Sequence, residues 1–270
     1  NMTVSKITPE SQSKWKIPSF NLDLWNGKKK SYCIIIPVIN EGERIINQLK
    51  IMKELNISSE ADIIIIDGGS TDGSLDIQLL NNLNVIGLLT KTGSGKLSAQ
   101  LRCAYSFALE KNYKGILTID GNNKDNPEAI RLFIKALKDG YDFVQASRFV
   151  KGGVGINTPL IRSLAIKIIH APVLSLFSGF RWTDTTQGFR AYSSRLLLDD
   201  KISPFRDIFQ EYELLAYLSY RAPILDYKCL EIATTRVYPI GKTPTKINGI
   251  IGFYKLLKTL FMACFKQYNP

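Results

Sequence analysis

The sequence predicts an α/β fold with a doubly wound, mostly parallel sheet. The first observation is a set of short continuous apolar runs, such as residues 32–36 and 62–66, which are typical of strands buried on both faces. The second is the helical spacing of apolar residues between those runs, as in residues 43–55. Because strand and helix patterns alternate, parallel strands with helices on both faces are expected.

The individual elements follow in chain order. Buried strands are predicted at 32–36, 62–66, 85–89, 115–119 and 143–147, and helices at 43–55 and 98–109. A further helix starts at Asn126-Pro127-Glu128, where Asn is a good cap and Pro suits the first helical position. The second half is less regular, with helices predicted at 159–176 and 205–220, strands at 187–192 and 225–232, and a final amphipathic helix.

We therefore expect one domain at residues 32–246, preceded by an N-terminal arm (1–31) and followed by an amphipathic helix and tail (247–270). The arm is expected because residues 1–31 show no sustained periodicity. The C-terminal stripe of apolar residues, with lysines elsewhere, suits an anchor on anionic lipid. It suits packing on the protein's own core or on a second subunit equally well, so a homo-oligomer stays open.

Composition and charge limit the partners, the metal sites and the cellular location that can be expected. The formal charge of +11 favours polyanionic partners. Four widely separated cysteines argue against a zinc site or a disulfide framework, and the single histidine, His170, lies in an apolar run typical of a buried residue. The polar N-terminus and the lack of an uninterrupted apolar stretch of spanning length predict a cytoplasmic protein, soluble or peripheral on the inner face of the membrane.

Polar segments follow four of the predicted strands. They are Pro37-Val38-Ile39-Asn40-Glu41, the run from Asp67 to Gly73, the run from Asp120 to Glu128, and Arg148. Each alone is a common turn composition. In an open parallel sheet, however, ligands bind beyond the carboxyl ends of the strands, so all four segments are expected at one binding edge.

These motifs, in this order, resemble family-two glycosyltransferases, which have the GT-A fold. The polyprenyl-phosphate (dolichol-phosphate) mannosyltransferase branch is the most similar, because Thr185-Thr186-Gln187-Gly188-Phe189-Arg190-Ala191-Tyr192, preceded by Asp184, matches a segment of that branch. The likeness covers residues 32–246. It implies metal-assisted transfer of a sugar from a UDP- or GDP-sugar donor to a lipid-phosphate or surface-glycan acceptor, with inversion expected.

The resemblance also implies roles for individual residues. Pro37 and Val38 would form an apolar wall for the nucleotide, while Glu41 and Asp67 would accept hydrogen bonds from ribose or base. The other expected donor-binding residues are Asn40, Ser70, Asp72, Gly95, Lys96, Asp120, Gly121, Asn122, Arg148, Arg162, Arg236 and Lys246. Among them, Arg148 and Arg162 fall where that branch places phosphate-binding arginines, and arginine grips phosphate well because its planar fork makes paired hydrogen bonds.

Asp120 and Asn122 are the expected ligands of Mg²⁺ or Mn²⁺, since hard cations prefer oxygen ligands. The family's D-x-D is Asp-Gly-Asn here, and its following Gln is Lys124. Three interpretations stay open: lowered metal affinity, compensation by Asp125, or partial replacement of the cation by Lys124.

Asp120, Asp184 and Arg190 are the predicted catalytic residues. Asp184 would be the general base for a hydroxyl acceptor. For a phosphate acceptor no base is needed, and Asp184 would instead orient Arg190 or the acceptor. Glu211 and Glu213 are second-line candidates, for which a structural role is favoured.

Other functions are weighed against glycosyl transfer. A sugar-nucleotide pyrophosphorylase would need a Gly-rich G-x-G-T-R loop after the first strand, where this chain has Pro37-Val38-Ile39-Asn40-Glu41. A nucleotide-binding pseudo-enzyme stays open because of Asn122. Nucleic-acid binding is disfavoured, because carboxylates along the binding edge would repel a phosphate backbone.

Overall fold

The computed structural model describes residue 7, residues 9–241 and residues 249–270. Its strands are β1 (Phe20–Trp25), β2 (Tyr32–Val38), β3 (Asp62–Asp67), β4 (Val85–Lys91), β5 (Gly115–Thr118), β6 (Phe143–Ser147), β7 (Val154–Ile156), β8 (Arg190–Ser193), β9 (Cys229–Ala233) and β10 (Thr235–Val237). The predicted α/β class with a mostly parallel sheet is confirmed.

The α-helices are α1 (Pro9–Ser13), α2 (Glu43–Glu54), α3 (Ile77–Asn82), α4 (Leu97–Glu110), α5 (Ile130–Lys138), α6 (Leu160–Ala165), α7 (Ala171–Ser178), α8 (Ser194–Leu197), α9 (Glu213–Ile224) and α10 (Gly249–Cys264). Short 3-10 turns lie at Ile57–Ser59 and Pro127–Ala129, and a π-helical turn at Ile166–His170 joins α6 to α7.

Within the described residues, eight strands form one sheet in the order β1-β4-β3-β2-β5-β8-β6-β9. Neighbouring strands from β4 to β5 are parallel, as are β6 and β9, whereas β1 and β8 run antiparallel to their neighbours. A separate parallel pair joins β10 to β7. This topology brings the carboxyl ends of β2, β3, β4, β5 and β6 to one edge.

Helices cover both faces of the sheet, as the buried apolar strands require. One core cluster combines alternate residues of β2 and β3, such as Ile35 and Ile64, with α4, α9 and α10. The other combines the intervening residues, such as Ile34 and Ile65, with α2 and α5. The two clusters make the sheet the rigid floor for the loops at its edge.

Strand β8 explains how a late segment reaches the binding edge. Its first residue, Arg190, pairs with Thr118 of β5 and Gln145 of β6, close to the carboxyl ends of both strands. Because β8 is antiparallel, the segment that precedes it, residues 184–189, therefore lies beside the loops that follow β5 and β6.

Some sequence predictions are corrected here. Residues 20–25, which were expected within an arm, form an edge strand of the sheet, with Trp25 packed edge-on against Phe107 at a ring distance of 4.9 Å. Residues 20–24 do alternate between apolar and polar side chains, but this run is too short to count as sustained periodicity. The helix predicted at 205–220 begins only at Glu213, because the Glu213 carboxylate accepts hydrogen bonds from the backbone of Gln210 and Glu211 and fixes a helix start there.

The chain was expected to lack an apolar stretch of spanning length. Among the described residues, the continuous helix Leu160–Ser178 is long and apolar enough to cross a membrane, by length and composition alone. One side of this helix is buried on the domain, however, at Ile166, His170, Leu174 and Ser178.

Candidate active site

A cleft of about 990 Å³ opens at the carboxyl edge of the sheet. It is the place that the strand topology predicts for a ligand. The predicted donor-binding residues that line it are Pro37, Val38, Asn40, Glu41, Gly95, Lys96, Asp120, Gly121, Asn122, Arg162 and Arg236. The structure thus brings residues from the ends of several strands into one cleft.

Three predicted donor-binding residues instead build the wall behind the cleft. The Asp67 carboxylate accepts hydrogen bonds from the Ser70 backbone and hydroxyl, and the Asp72 carboxylate accepts one from the backbone of Gly42. The Ser70 hydroxyl also accepts a hydrogen bond from the Asn40 backbone at 3.0 Å. The side chains of Asp67, Ser70 and Asp72 therefore tie the loops after β2 and β3 together and do not line the cleft.

Close backbone contacts hold Asp120 in the cleft. A Cβ added at Gly121 would lie 2.9 Å from a Val38 methyl group, and one added at Gly188 would lie 2.5 Å from an Asp120 carboxylate oxygen. Only glycine permits these approaches. The loop after β5 therefore touches both the β2 end and the segment before β8, with the Asp120 carboxylate between them.

Four cationic side chains surround Tyr238, which is 1% exposed. The Arg148 and Arg236 guanidinium groups each lie 3.4 Å from the Tyr238 hydroxyl, and the Lys124 ammonium lies 4.7 Å from the centre of its ring. Burial alone would raise the pKa of Tyr238, but the positive charges of Arg236, Arg162 and Arg148 lower that pKa to about 8. This part of the cleft is therefore strongly positive.

The residues expected to hold Mg²⁺ or Mn²⁺ form a poor donor set for a divalent cation. Asp120 lies 3.8 Å from the Arg236 guanidinium, and Asn122 contributes a neutral amide whose oxygen accepts a hydrogen bond from the Lys124 backbone. Asp125 does not compensate, since its carboxylate is fully buried against Arg236 at 2.7 Å. Within the described ranges, no three acidic, histidine or cysteine side chains come together as metal ligands.

Asp184 does not line the cleft and is completely buried. Its carboxylate accepts hydrogen bonds from Arg148 Nε at 2.8 Å and from the Gln187 amide at 2.5 Å. The side chains of Arg148 and Asp184 are 1% and 0% exposed. This geometry disagrees with the prediction of Asp184 as a general base and of Arg148 as a residue in direct contact with the donor. The geometry is instead that of two side chains that hold each other, and the loops that carry them, in position.

Arg190 was predicted to be catalytic, and the structure corrects this. Its guanidinium is fully buried and donates hydrogen bonds to the backbone oxygens of Gln187, Thr185 and Leu215 and to the Ser219 hydroxyl. Arg190 therefore fastens the segment before β8 to helix α9. A buried structural arginine and a substrate-binding arginine look the same in a sequence.

His170 is buried, as its apolar surroundings predicted, but it also lines the cleft. Its Nδ1 lies 2.6 Å from the Thr185 hydroxyl, and burial lowers its pKa to about 4, so the ring is neutral near pH 7. The π-helical turn that carries it is a helix distortion frequent at functional sites. Neither feature has a signal in the local sequence pattern.

The sequence reasoning missed several other cleft residues, because they come from segments far apart in the chain. They are Gln100, Thr185, Thr186, Tyr212 and, on α10, Ile251, Lys255, Leu256 and Thr259. Glu211 also lines the cleft and lies 3.3 Å from Lys96 and 3.6 Å from Lys255, which agrees with the favoured structural role. Lys246, predicted to close over the donor, lies outside the described residues.

A mixed sheet with a basic cleft at its carboxyl edge is the architecture of a GT-A glycosyltransferase. The model of the Glycosyl transferase family 2 matches residues 33–202, more than half of the chain. The chain belongs to that family and is a glycosyltransferase.

Two of the curated relatives act on polyprenyl phosphates according to their names. The undecaprenyl-phosphate mannosyltransferase of Micrococcus luteus is 25% identical over 81% of this chain and 88% of its own length. The polyprenol monophosphomannose synthase of Mycolicibacterium smegmatis is 26% identical over 61% of this chain and 62% of its own. The glycosyltransferase AglJ of Haloferax volcanii is matched over 52% of its length. The chain therefore spans less than two thirds of AglJ and of the polyprenol monophosphomannose synthase.

Solved structures confirm the fold. The mannosyl-3-phosphoglycerate synthase from Rubrobacter xylanophilus superposes with a TM-score of 0.60 at 12% identity, covering 88% of this chain and 74% of its own. A glucosyl-3-phosphoglycerate synthase from Mycobacterium tuberculosis, in complex with Mn²⁺, UDP and its product, gives a TM-score of 0.56 at 13% identity, covering 88% and 81%.

Proposed function

We propose that this enzyme transfers a sugar, with inversion, from a UDP- or GDP-sugar to the phosphate of a polyprenyl phosphate. The observation that carries the proposal is a single cleft that joins Asp120 and the cations Lys124, Arg162 and Arg236 to the apolar helix α10. A donor diphosphate and an acceptor phosphate both need cations, and a polyprenyl chain needs an apolar exit. The polyprenyl-phosphate enzymes among the relatives support the same acceptor class.

In the reaction, an oxygen of the acceptor phosphate attacks the anomeric carbon of the sugar. The new carbon–oxygen bond forms as the bond to the diphosphate oxygen breaks, and the electron pair stays on the leaving nucleoside diphosphate. A phosphate acceptor is already an anion, so no side chain has to remove a proton. This agrees with the burial of the Asp184 carboxylate against Arg148.

The chain's own residues supply positioning and charge stabilisation in this scheme. The guanidinium of Arg162 and the ammonium of Lys124 bind phosphate oxygens, because cations held in position stabilise charge as it develops. The buried pair Arg148–Asp184 holds Tyr238 and the acceptor side of the cleft in place. Mg²⁺ or Mn²⁺ at Asp120 and Asn122 stays a prediction from the sequence, and no step above depends on it.

The acceptor implies a peripheral position on an anionic membrane. An apolar face lies beside the cleft. It consists of the exposed side chains Leu160, Ile161, Leu164, Ile168 and Leu176 on the continuous helix Leu160–Ser178, with Ile251 and Tyr254 on α10 and Phe265 just after it. The two parts are joined where Phe177 and Phe265 pack edge-on, 5.5 Å apart. Residues this apolar and this exposed, such as Ile161 at 82%, mark an interaction surface.

Charge favours lipid over a second copy of the chain as the occupant of this face. Residues 160–183 carry Arg162, Lys167 and Arg181, residues 249–270 carry Lys255, Lys258 and Lys266, and neither segment contains an acidic residue. Two such surfaces would repel each other, whereas anionic lipid headgroups attract basic side chains by about 1 kcal/mol each. The helix Leu160–Ser178 would then lie along the membrane surface, with its other side on the domain.

A transfer assay tests the function. Purified protein is incubated with UDP- or GDP-hexoses and either a polyprenyl phosphate or the matching polyprenol. We expect a glycosylated product and a free nucleoside diphosphate with the phosphate acceptor only. Release of inorganic pyrophosphate would instead indicate nucleotidyl transfer, and equal use of the polyprenol would contradict the phosphate acceptor.

A further inference from the structure

Lys124 occupies a built position in the cleft. Its side chain lines the cleft although the residue is only 7% exposed, and its ammonium packs over the Tyr238 ring at 4.7 Å. Its backbone is fixed on both sides, because its N–H donates to Asn122 Oδ1 at 3.2 Å and its oxygen accepts from the Val237 N–H at 2.8 Å. A lysine held in this way is part of the site and not a solvated surface charge.

Arg236 holds a second positive charge at the same place. Its Nη2 lies 3.8 Å from the Asp120 carboxylate, and its Nη1 lies 2.7 Å from the buried carboxylate of Asp125. The acidic residue that a metal would need therefore already faces a guanidinium. The buried pair with Asp125 keeps Arg236 in that position.

A divalent cation at Asp120 and Asn122 would meet these two fixed positive charges. Of the two expected ligands and their neighbour Asp125, only Asp120 would oppose it with a carboxylate, since Asn122 is neutral and the Asp125 carboxylate is buried against Arg236. Like charges in a partly buried cleft repel by several kcal/mol at close range. The donor set and its surroundings therefore favour an anion, not a metal ion, as the direct partner of Lys124 and Arg236.

We propose that Lys124 and Arg236 take the place of a divalent cation, so that the nucleoside diphosphate is bound and released without a metal. This inference rests on the proposed function. As the bond between the anomeric carbon and the diphosphate oxygen breaks, the extra negative charge on that oxygen is stabilised by the Lys124 ammonium and the Arg236 guanidinium. The two groups only stabilise charge, so the step needs no proton transfer and no further reactant.

The test measures binding of UDP and of GDP by calorimetry, once in excess EDTA and once with added MnCl₂. For the wild-type protein we expect the affinity for the preferred nucleotide to agree within about twofold between the two conditions, since the charge is neutralised by fixed side chains. Binding that requires Mn²⁺ would overturn the inference and leave the proposed function standing. No binding of either nucleotide in either condition would overturn both.

Variants test whether Lys124 itself neutralises the charge of the bound diphosphate. Lys124→Gln should weaken nucleotide binding in EDTA by about tenfold to a hundredfold, the usual cost of losing a charge-assisted hydrogen bond. The double variant Asn122→Asp with Lys124→Gln restores a second carboxylate and removes the competing cation, so its nucleotide binding should become stimulated by Mn²⁺. Lys151→Gln, at an exposed lysine outside the cleft, is the matched control.

Thermal unfolding of each variant without nucleotide separates loss of binding from loss of folding. A folded Lys124→Gln protein that binds nucleotide in EDTA as well as the Lys151→Gln control does would contradict the proposal. Wild-type nucleotide binding in EDTA and in MnCl₂ also tests the proposal by itself, because that comparison needs no substitution.

Discussion

The guanidinium of Arg148 lies 2.8 Å from the carboxylate of Asp184, and both side chains are completely enclosed by protein. Arg148 follows strand β6 and Asp184 lies in the segment before β8, so the pair joins these two loops. Burial opposes the charge of Arg148, but the neighbouring Asp184 carboxylate raises the pKa of Arg148. The pair therefore acts as a fixed link between the two loops.

This link predicts how substitution of Asp184 affects catalysis. Asp184→Asn should raise the KM for polyprenyl phosphate and lower stability, because removing one partner leaves a buried charge uncompensated at a cost of about 3–5 kcal/mol. The pH dependence of kcat should stay that of the wild type, since no proton passes through Asp184. Steady-state kinetics from pH 6 to 9, with urea unfolding, measure both effects.

The matching control is Arg148→Lys, which keeps the charge but not the planar fork. It should show the same change in KM with a smaller loss of stability. If Asp184→Asn instead removed a titrating limb from the kcat profile, Asp184 would be a general base and the positioning role would be wrong.

Tyr238 predicts an alkaline limit for donor binding. Its pKa of about 8 means that the phenol is neutral below that pH and becomes a phenolate above it. Because a phenolate would neutralise part of the surrounding positive charge, the affinity for UDP or GDP should fall by roughly tenfold between pH 7 and pH 9. Tyr238→Phe keeps the ring under Lys124 but cannot ionise, so its affinity should stay level over this range in calorimetric titrations. An unchanged alkaline fall in that variant would assign the effect to another group.

His170 predicts a loss of stability in mild acid. Its folded pKa of about 4 lies below the unfolded value of about 6.5, so the unfolded chain binds a proton more readily between these values. Its contribution is therefore complete above pH 6.5 and is lost as the pH falls toward 4, by about 3 kcal/mol in the free energy of unfolding.

His170→Asn should remove this pH-dependent contribution to the free energy of unfolding. Urea unfolding at several pH values checks it, and since His170 is the only histidine in the sequence, the difference between the two proteins reports on this residue alone. Parallel curves for the wild type and the variant would contradict the prediction.

The apolar face predicts membrane binding that depends on particular leucines. Leu160 and Leu176 are 79% and 80% exposed, and burying each in the bilayer interface contributes about 1.5–3 kcal/mol. The double variant Leu160→Glu with Leu176→Glu should therefore lose flotation with vesicles that contain anionic lipid at low salt. Transfer to a short-chain, water-soluble acceptor phosphate should be retained.

Leu132→Glu is the control, because Leu132 is also exposed but lies on α5, away from the apolar face. It should float with the vesicles as the wild type does. Equal flotation of the double variant, or none by the wild type, would remove the apolar face as the docking surface.

The sheet could be predicted from sequence because its strands are buried on both faces and therefore appear as continuous apolar runs. The same logic placed Asp120, Asn122 and Glu41 at one edge, since parallel strands end together. It could not separate Arg162, which lines the cleft, from Arg190, which is buried behind it. That difference depends on long-range packing and leaves no local pattern.

The edge strand and the C-terminal helix show a second limit. Strand β1 alternates apolar and polar residues at positions 20–24, but so short a run does not separate a strand from an irregular arm. Its pairing with β4 over residues 20–25 identifies it as a strand. The stripe on α10 was equally compatible with core packing and with an anchor. The structure shows core packing at Leu260 and Ala263 and leaves Ile251 and Tyr254 exposed, so the anchor stays a prediction.

The reversed direction of β8 has a consequence for how such enzymes can diversify. Residues 184–189 lead into a strand that is paired on both sides, and Arg190 holds their backbone through hydrogen bonds to the oxygens of Thr185 and Gln187. Three residues of this stretch, Thr185, Thr186 and Gly188, line the cleft. Substitutions of Thr185 and Thr186 would therefore change the surface of the cleft without shifting the register of β2, β3 and β4.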